Sequence, residues 1–200
     1  SSKWVKKYAE KYFDCKIKVV NPFVTENKYE DLAELDYKSG TGNILLVGTH
    51  RRKEGSRKGL DYLEKAVSIL EDKGYDIKAK TAGNSGEAIG YSSNVEDQGY
   101  VDHRKFLELF EESELFLQPS RTDGWSVAVV EAMRSGTPPI VSENTGSKVL
   151  VEEVDENLVH ELSAESLAES IEYFLDLSDD EKMELSEKFR EISEEFSPSE

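Results

Sequence analysis

Residues 115–142, LFLQPSRTDGWSVAVVEAMRSGTPPIVS, have the pattern of a strand, a loop, a helix and a second strand. The apolar runs 115–118 and 139–142 have strand length and are bounded by proline or polar residues. Between them, apolar residues at helical spacing begin at Val127, and the helical pattern stops at Gly136. Strands separated by a helix are typical of a parallel sheet with right-handed crossovers. This stretch therefore predicts an α/β fold.

The same alternation extends towards the N-terminus. Further strand-length apolar runs lie at 16–20, 43–47 and 77–82. Apolar residues at helical spacing predict amphipathic helices over 60–70 and within 104–114. We therefore expect a Rossmann-like parallel sheet with helices on both of its faces.

The sequence becomes wholly helical beyond Ser163. One apolar stripe covers 167–175, and Ser178 with Glu181 has the spacing of a capping box that opens another helix. No internal repeat and no long Pro, Gly or Ser linker divides the chain, and 200 residues suffice for one well-packed domain. We predict a helical C-terminal tail that packs over the edge of the sheet.

Glycines mark the remaining joints. The segment 39–42 is short, so we predict one Rossmann-like domain over 39–200, preceded over 1–38 by an interdomain link and a first strand. The stretches 40–42 and 83–86 lack the spacing of a dinucleotide or P-loop motif, and we interpret both as turns. Gly83 is expected to let its loop lie close to a ligand.

Composition limits the classes of partner. Acidic residues outnumber basic ones 42 to 25, and the formal charge of −17 disfavours nucleic acid and anionic membrane surfaces. An anionic ligand must therefore be held by local cations. One cysteine excludes an intramolecular disulfide framework, and the three histidines lack metal-ligand spacing, so we expect no metal site.

Hydropathy bears on location. No apolar run approaches the roughly 20 residues that a membrane-spanning helix needs, and the N-terminal residues lack the apolar segment of a signal peptide. We expect a cytoplasmic protein, or one held peripherally at a membrane through the rest of a longer chain.

A basic loop follows the predicted strand 43–47. It begins at Gly48 and places five cationic side chains within 51–58, among them Arg52, Arg57 and Lys58. Such a loop can be a solvated surface that confers solubility. Because it lies at the carboxyl end of a strand, where parallel sheets bind ligands, we favour phosphate binding.

The second candidate loop follows the strand 115–118. Asp123 lies just before the helix and Glu131 about two turns inside it. One interpretation is structural: Asp123 or Ser126 caps the helix, and Glu131 faces water. However, Val129, Val130, Ala132 and Met133 flank Glu131, so its carboxylate is expected to be buried. A buried carboxylate needs a partner, such as the hydroxyl groups of a ligand.

These motifs resemble family 4 of the retaining glycosyltransferases, which have the two-domain GT-B fold. The likeness covers most of the chain and is carried by Pro119-Ser120, Asp123-Gly124-Trp125-Ser126, Glu131-Ala132-Met133 and Gly136-Thr137-Pro138. By this resemblance the chain corresponds to the C-terminal, nucleotide-sugar-binding domain. The N-terminal acceptor domain has no counterpart, so we expect a fragment that is inactive alone.

The resemblance implies roles for particular residues. Glu131 would contact the ribose hydroxyls, and Lys58 the diphosphate of the donor. Asp123, the candidate catalytic residue, would contact the transferred sugar. The remaining donor-binding residues implied are Gly48, Arg52, Arg57, Gly124, Trp125 and Ser126. The implied substrate is a UDP- or GDP-sugar whose hexose passes to a hydroxyl of a glycan or lipid acceptor, with no cofactor or metal.

Three residues depart from the family pattern. Thr49 stands where the family has arginine, Asp123 replaces a glutamate, and Ser126 replaces a glycine. Thr49 and Asp123 favour one rival class, a non-catalytic nucleotide-sugar-binding or interaction domain of the same fold, whereas the changes at Asp123 and Ser126 are expected to alter the sugar preference. A phosphorylase or glycan synthase of the same architecture is a second rival, which rests on fold analogy.

Overall fold

A computed structural model of the chain describes residues 6, 10–12, 24–48, 57–83 and 94–197. The strand predicted at 16–20, the candidate Arg52 and the turn residues 84–86 lie outside the described residues.

One six-stranded, fully parallel sheet forms the centre of the domain, in the order β3-β2-β1-β4-β5-β6. Its strands are β1 Asn43–Val47, β2 Lys78–Ala82, β3 Val95–Asp97, β4 Leu115–Gln118, β5 Pro139–Ser142 and β6 Val159–His160. The predicted strands 43–47, 115–118 and 139–142 coincide with β1, β4 and β5, and the predicted strand 77–82 begins one residue early. The expected α/β class is confirmed.

Burial explains which strands were predictable. All residues of β4 and β5 are buried, because a parallel sheet is covered on both faces and its inner strands are continuous apolar runs. The edge strands β3 and β6 have three and two residues and were not predicted. Each contains only one valine as an apolar residue, which gives no recognisable strand pattern.

Seven α-helices lie in the described residues: α1 Glu26–Ala33, α2 Leu60–Asp72, α3 His103–Glu111, α4 Val127–Ser135, α5 Lys148–Val154, α6 Ala164–Asp176 and α7 Asp179–Ser193. The predicted capping box at the start of α7 is present, with Ser178 and Glu181 exchanging side-chain to backbone hydrogen bonds. The helices predicted over 60–70 and within 104–114 correspond to α2 and α3.

The strand order reverses between β1 and β4. From β1 the chain moves through α2 to β2 on one side, and from β4 it moves through α4 to β5 on the other. Right-handed crossovers in opposite directions place α2 and α4 on opposite faces of the sheet. The reversal creates a crevice at the carboxyl ends of β1 and β4, where such sheets bind ligands.

The C-terminal helices extend both helical layers. The helix α6 packs mainly on α2 and also touches the edge strand β6, whereas α7 packs on α4. The tail therefore supports both faces of the sheet in addition to the expected contact with its edge.

Residues 24–38, placed by sequence in a link, contribute to the core. Val24, Tyr29 and Leu32 are buried in the same apolar cluster as the sheet, and α1 packs against α4. As a result, α1 forms one wall of the region beside Glu131.

Candidate functional site

The phosphate-side candidates converge at the crevice. The Nζ atom of Lys58 lies 2.9 Å from Oδ2 of Asp123, and both side chains are 12% exposed. Gln118 donates from Nε2 to the same carboxylate oxygen at 3.1 Å, and Nη1 of the more exposed Arg57 lies 3.9 Å from it. The structure thus brings together three of the predicted site residues and adds Gln118, which the sequence did not single out.

Close packing of two loops produces this convergence. Gly59 has a φ of +69°, and a Cβ atom there would collide with the carbonyl group of Pro119. The backbone N–H of Arg121 donates to the carbonyl of Arg57 at 2.8 Å, and the Arg121 guanidinium forms a two-pronged pair with Asp61. The basic loop is therefore tied directly to the loop that follows β4.

The N-terminus of α4 lies beside this cluster. Within the described residues, the N-cap Ser126 makes no side-chain capping bond, and the Asp123 side chain accepts from the N–H of Trp125 at 3.3 Å. The capping role considered for these two residues is therefore wrong for the first turn of the helix. Its free amides and the positive end of the helix dipole remain available to an anion.

The backbone of Asp123 is held from the opposite side. Its N–H donates to the carbonyl of Asn144 at 3.1 Å, and its carbonyl accepts from the N–H of Gly146 at 2.7 Å. Two residues after Asp123, the ring of Trp125 packs on the ring of Phe196, with the centroids 5.4 Å apart. Gly124 lies between these two anchored residues, so the loop presents a fixed backbone to the crevice.

Glu131 is only 7% exposed, as its apolar neighbours predicted. The interpretation that it faces water is wrong. Its Oε1 atom lies 2.6 Å from Nζ of Lys28, which α1 supplies, and that ammonium lies 3.7 Å from the centroid of the Phe106 ring. The sequence predicted the need for a partner but not Lys28, because nothing in the pattern of α1 points to a contact so distant along the chain.

An open cavity of about 550 Å³ adjoins these residues. It is lined by Lys28, Val47, Gly48, Ala82, Gly83, Tyr100, Val101, Asp102, His103 and Phe106. A Cβ atom on Gly83 would collide with the carbonyl of Gly48, so this glycine allows two strand ends to approach each other at the cavity wall. The cavity is bounded by apolar side chains, strand-end backbone and the polar residues Asp102 and His103, and Lys28 is also among its lining residues.

The profile of the family described as glycosyl transferases group 1 matches residues 39–196. The chain belongs to this family. An uncharacterized glycosyltransferase from Haemophilus influenzae is 29% identical in an alignment 192 residues long, which covers 90% of this chain and 51% of that protein. A second relative, the protein CapJ of Staphylococcus aureus, is 24% identical in an alignment 151 residues long, which covers 71% of this chain and 38% of CapJ.

Solved structures agree in fold. WaaG, a glycosyltransferase involved in lipopolysaccharide biosynthesis, has a TM-score of 0.75 at 17% identity, over 96% of this chain and 57% of WaaG. Sucrose-phosphate synthase from Thermosynechococcus elongatus also has a TM-score of 0.75, at 20% identity, over 98% of this chain and 53% of that protein. This group 1 glycosyltransferase chain thus has the fold of the Rossmann-like C-terminal half of a GT-B protein, and it spans about half the length of the H. influenzae relative.

Membrane-spanning helices and metal clusters are both absent from the described residues. None of the helices there combines the length and apolar character required to cross a membrane. The same residues contain no group of three or more His, Cys, Asp or Glu side chains placed to hold a metal ion.

Proposed function

We propose that this chain binds a nucleotide-diphosphate sugar as the donor domain of a retaining glycosyltransferase that transfers a hexose to an acceptor hydroxyl. The observation that carries the proposal is that an ammonium group and a buried carboxylate lie at two separate points along α4. Lys58 lies with Asp123 beside its N-terminus, whereas Glu131, five residues after the N-cap Ser126, pairs with Lys28, which lines the cavity. Five residues of helix span about 7.5 Å, a separation suited to a diphosphate at one end and its ribose at the other.

The diphosphate would lie at the N-terminal end of α4. Lys58 is nearly buried, so its charge is weakly screened, and Arg57 adds a second, more exposed cation. Together with the backbone amides of Gly124 and Ser126, these groups would stabilise the negative charge that develops on the leaving diphosphate, while the amide of Trp125 donates to Asp123. Because cations and amides of the chain can supply this stabilisation, the proposal includes no metal and no cofactor.

Asp123 would contact the transferred sugar. Gln118, Lys58 and the amide of Trp125 hold its carboxylate in one orientation, as expected for a residue that accepts hydrogen bonds from sugar hydroxyls. When a donor binds, Lys58 would share its protons between Asp123 and the phosphate. Gly48 at the end of β1 lines the cavity in which the nucleoside of a UDP- or GDP-sugar would sit.

The acceptor side belongs to a larger protein on this proposal. The chain spans about half of the H. influenzae relative, and a GT-B cleft requires a second domain. We propose that this chain alone binds the donor and transfers little sugar, and that the acceptor is a glycan or lipid. The charge of −17 supports a protein without nucleic-acid partners.

Calorimetric titration with UDP, GDP and their glucose conjugates tests donor binding. We expect one nucleotide series to bind, and Lys58→Ala and Glu131→Ala each to weaken it about tenfold, equivalent to about 1.4 kcal/mol. Lys38 and Glu111 form an exposed ion pair elsewhere, at 3.0 Å, so Lys38→Ala and Glu111→Ala are matched controls. Unchanged affinity in both site variants, with native circular dichroism, would contradict the assignment.

A further inference from the structure

Lys28 occupies a position that an ordinary structural ion pair does not explain. Its ammonium touches Glu131 at 2.6 Å and the Phe106 ring face at 3.7 Å, yet the side chain remains 27% exposed and lines the cavity. By contrast, Lys182 is 6% exposed and is enclosed by Glu114 and the carbonyl of Leu175. Lys28 therefore joins a buried carboxylate to an open binding space.

The hydrogen-bonding capacities of Lys28 and Glu131 are complementary and only partly used. A carboxylate only accepts and an ammonium only donates, whereas each hydroxyl of a diol does both. Lys28 contacts one oxygen of Glu131, and an ammonium has three N–H donors. Among the described residues, Glu131 and the Phe106 ring are the partners of that ammonium, so donor capacity remains for a ligand in the cavity.

We propose that Lys28 is a specificity-determining residue that recognises, together with Glu131, the cis-diol of a ribose. This inference rests on the proposed function, since it assigns a further contact to the same donor site. Each ribose hydroxyl donates to Glu131 and accepts from Lys28. Lys28 also neutralises the charge of a nearly buried carboxylate, which makes Glu131 less costly to hold at the cavity without a ligand.

The packing of α1 fixes the position of Lys28 at the cavity. Tyr29 and Leu32 anchor the helix in the core on the turn that follows Lys28. On the same helix, Asp31 lies 2.6 Å from Nε2 of His103, the first residue of α3 and part of the cavity wall. Because α1 is fixed to both α4 and the start of α3, Lys28 reaches the cavity from a rigid element.

The test compares ribonucleotides with 2′,3′-dideoxynucleotides by calorimetry. We expect wild type to bind UDP or GDP about tenfold or more tightly than the dideoxy analogue. Lys28→Met should weaken the ribonucleotide about tenfold and change the dideoxy analogue less than about twofold, so that the preference disappears. Lys38→Met, which removes the exposed partner of Glu111, should leave both affinities unchanged.

Every result bears on the proposal. If Lys28→Met weakens both analogues equally, or tightens the ribonucleotide, Lys28 does not recognise the diol and the inference is overturned. If Lys28→Met does not fold, the Lys28→Arg variant and the ribose preference of the wild type still test the inference. Equal binding of the ribonucleotide and its dideoxy analogue by the wild type overturns the inference. If neither UDP nor GDP binds wild type at all, the proposed function fails first, and that outcome is distinct from bound nucleotide without a ribose preference.

Discussion

Lys58 and Glu131 each meet an opposite charge in the protein before any ligand is bound. Lys58 pairs with Asp123, and Glu131 with Lys28, and all four side chains are largely removed from water. A ligand that enters must share these partners, so the net gain in binding is smaller than the gross attraction. For this reason we expect removal of Lys58 or Glu131 to weaken ligand affinity by about tenfold and not more.

His160 provides a residue-scale prediction that is independent of the ligand. The imidazole is fully buried at the end of β6, its Nδ1 lies 2.6 Å from the carbonyl oxygen of Glu161, and burial lowers its pKa from 6.5 to about 4. The folded pKa lies below the unfolded one, so stability is complete above about pH 6.5 and is lost as the pH falls towards 4.

A variant that cannot titrate isolates this effect from the many carboxylates. We expect the stability of wild type relative to His160→Gln to fall by about 3 kcal/mol between neutral pH and pH 4. Urea unfolding of both proteins across that window measures the difference. A difference that is constant with pH would show that His160 titrates alike in the folded and unfolded chain.

At the scale of elements, the C-terminus of α4 depends on a glycine and an arginine. Gly136 has a φ of +80°, and a Cβ atom there would lie 2.7 Å from Oγ of Ser186 and closer still to Nε of Arg190. The Arg190 guanidinium donates to the carbonyls of Arg134 and Ser135 at the end of α4 and to that of Ala33 at the end of α1. One side chain thus joins the two helices that carry Glu131 and Lys28.

Two glycine substitutions separate backbone strain from this collision. Gly74 has a similar φ of +95°, but no atom lies within 4 Å of the point that a Cβ atom would occupy there. Gly74→Ala should therefore destabilise by about 1 kcal/mol, from conformation alone. Gly136→Ala should cost at least about 2 kcal/mol more because Arg190 must move. Equal losses for both variants in urea unfolding would contradict a structural role of Arg190 at this helix end.

The elements that sequence predicted well are those whose burial is decided locally. The inner strands β1, β4 and β5 are apolar runs, and α7 begins with a capping box. By contrast, half of the residues of α1 are charged, and the helix is held by two buried residues, Tyr29 and Leu32. Such an element depends on contacts with distant parts of the chain, which no local pattern reveals.

The candidate site divides in the same way. The sequence indicated Asp123 by its position before the helix and Glu131 by its apolar neighbours, whereas Lys58 was selected from five cations by the resemblance to the family. Lys28 and Gln118 acquire their roles only through folding, since one lies on an unpredicted helix and the other has the sequence position of a buried strand residue. Sequence therefore located the crevice, and the structure supplied the partners that determine its chemistry.

At the scale of the whole molecule, the net negative charge opposes the binding of an anionic ligand. The chain carries a formal charge of −17, while Lys58 and Arg57 lie at the crevice and Lys28 lines the adjoining cavity. Long-range repulsion opposes the approach of a diphosphate, and the cations act only at short range. Binding should therefore depend on the local contacts of these cations and not on attraction to the overall surface.

The same excess charge should oppose folding at low ionic strength. Compaction brings like charges together, and salt screens them over a Debye length of about 10 Å at 0.1 M. Raising NaCl from about 20 to about 300 mM should stabilise the domain by about 1 kcal/mol, a Tm increase of about 2–4 °C for a chain of this size. Calorimetry or circular dichroism measures it, and KCl should act equally because screening depends on ionic strength. A fall in Tm would mean that the surface ion pairs, such as Lys80 with Glu112 at 2.7 Å, outweigh the repulsion of the net charge.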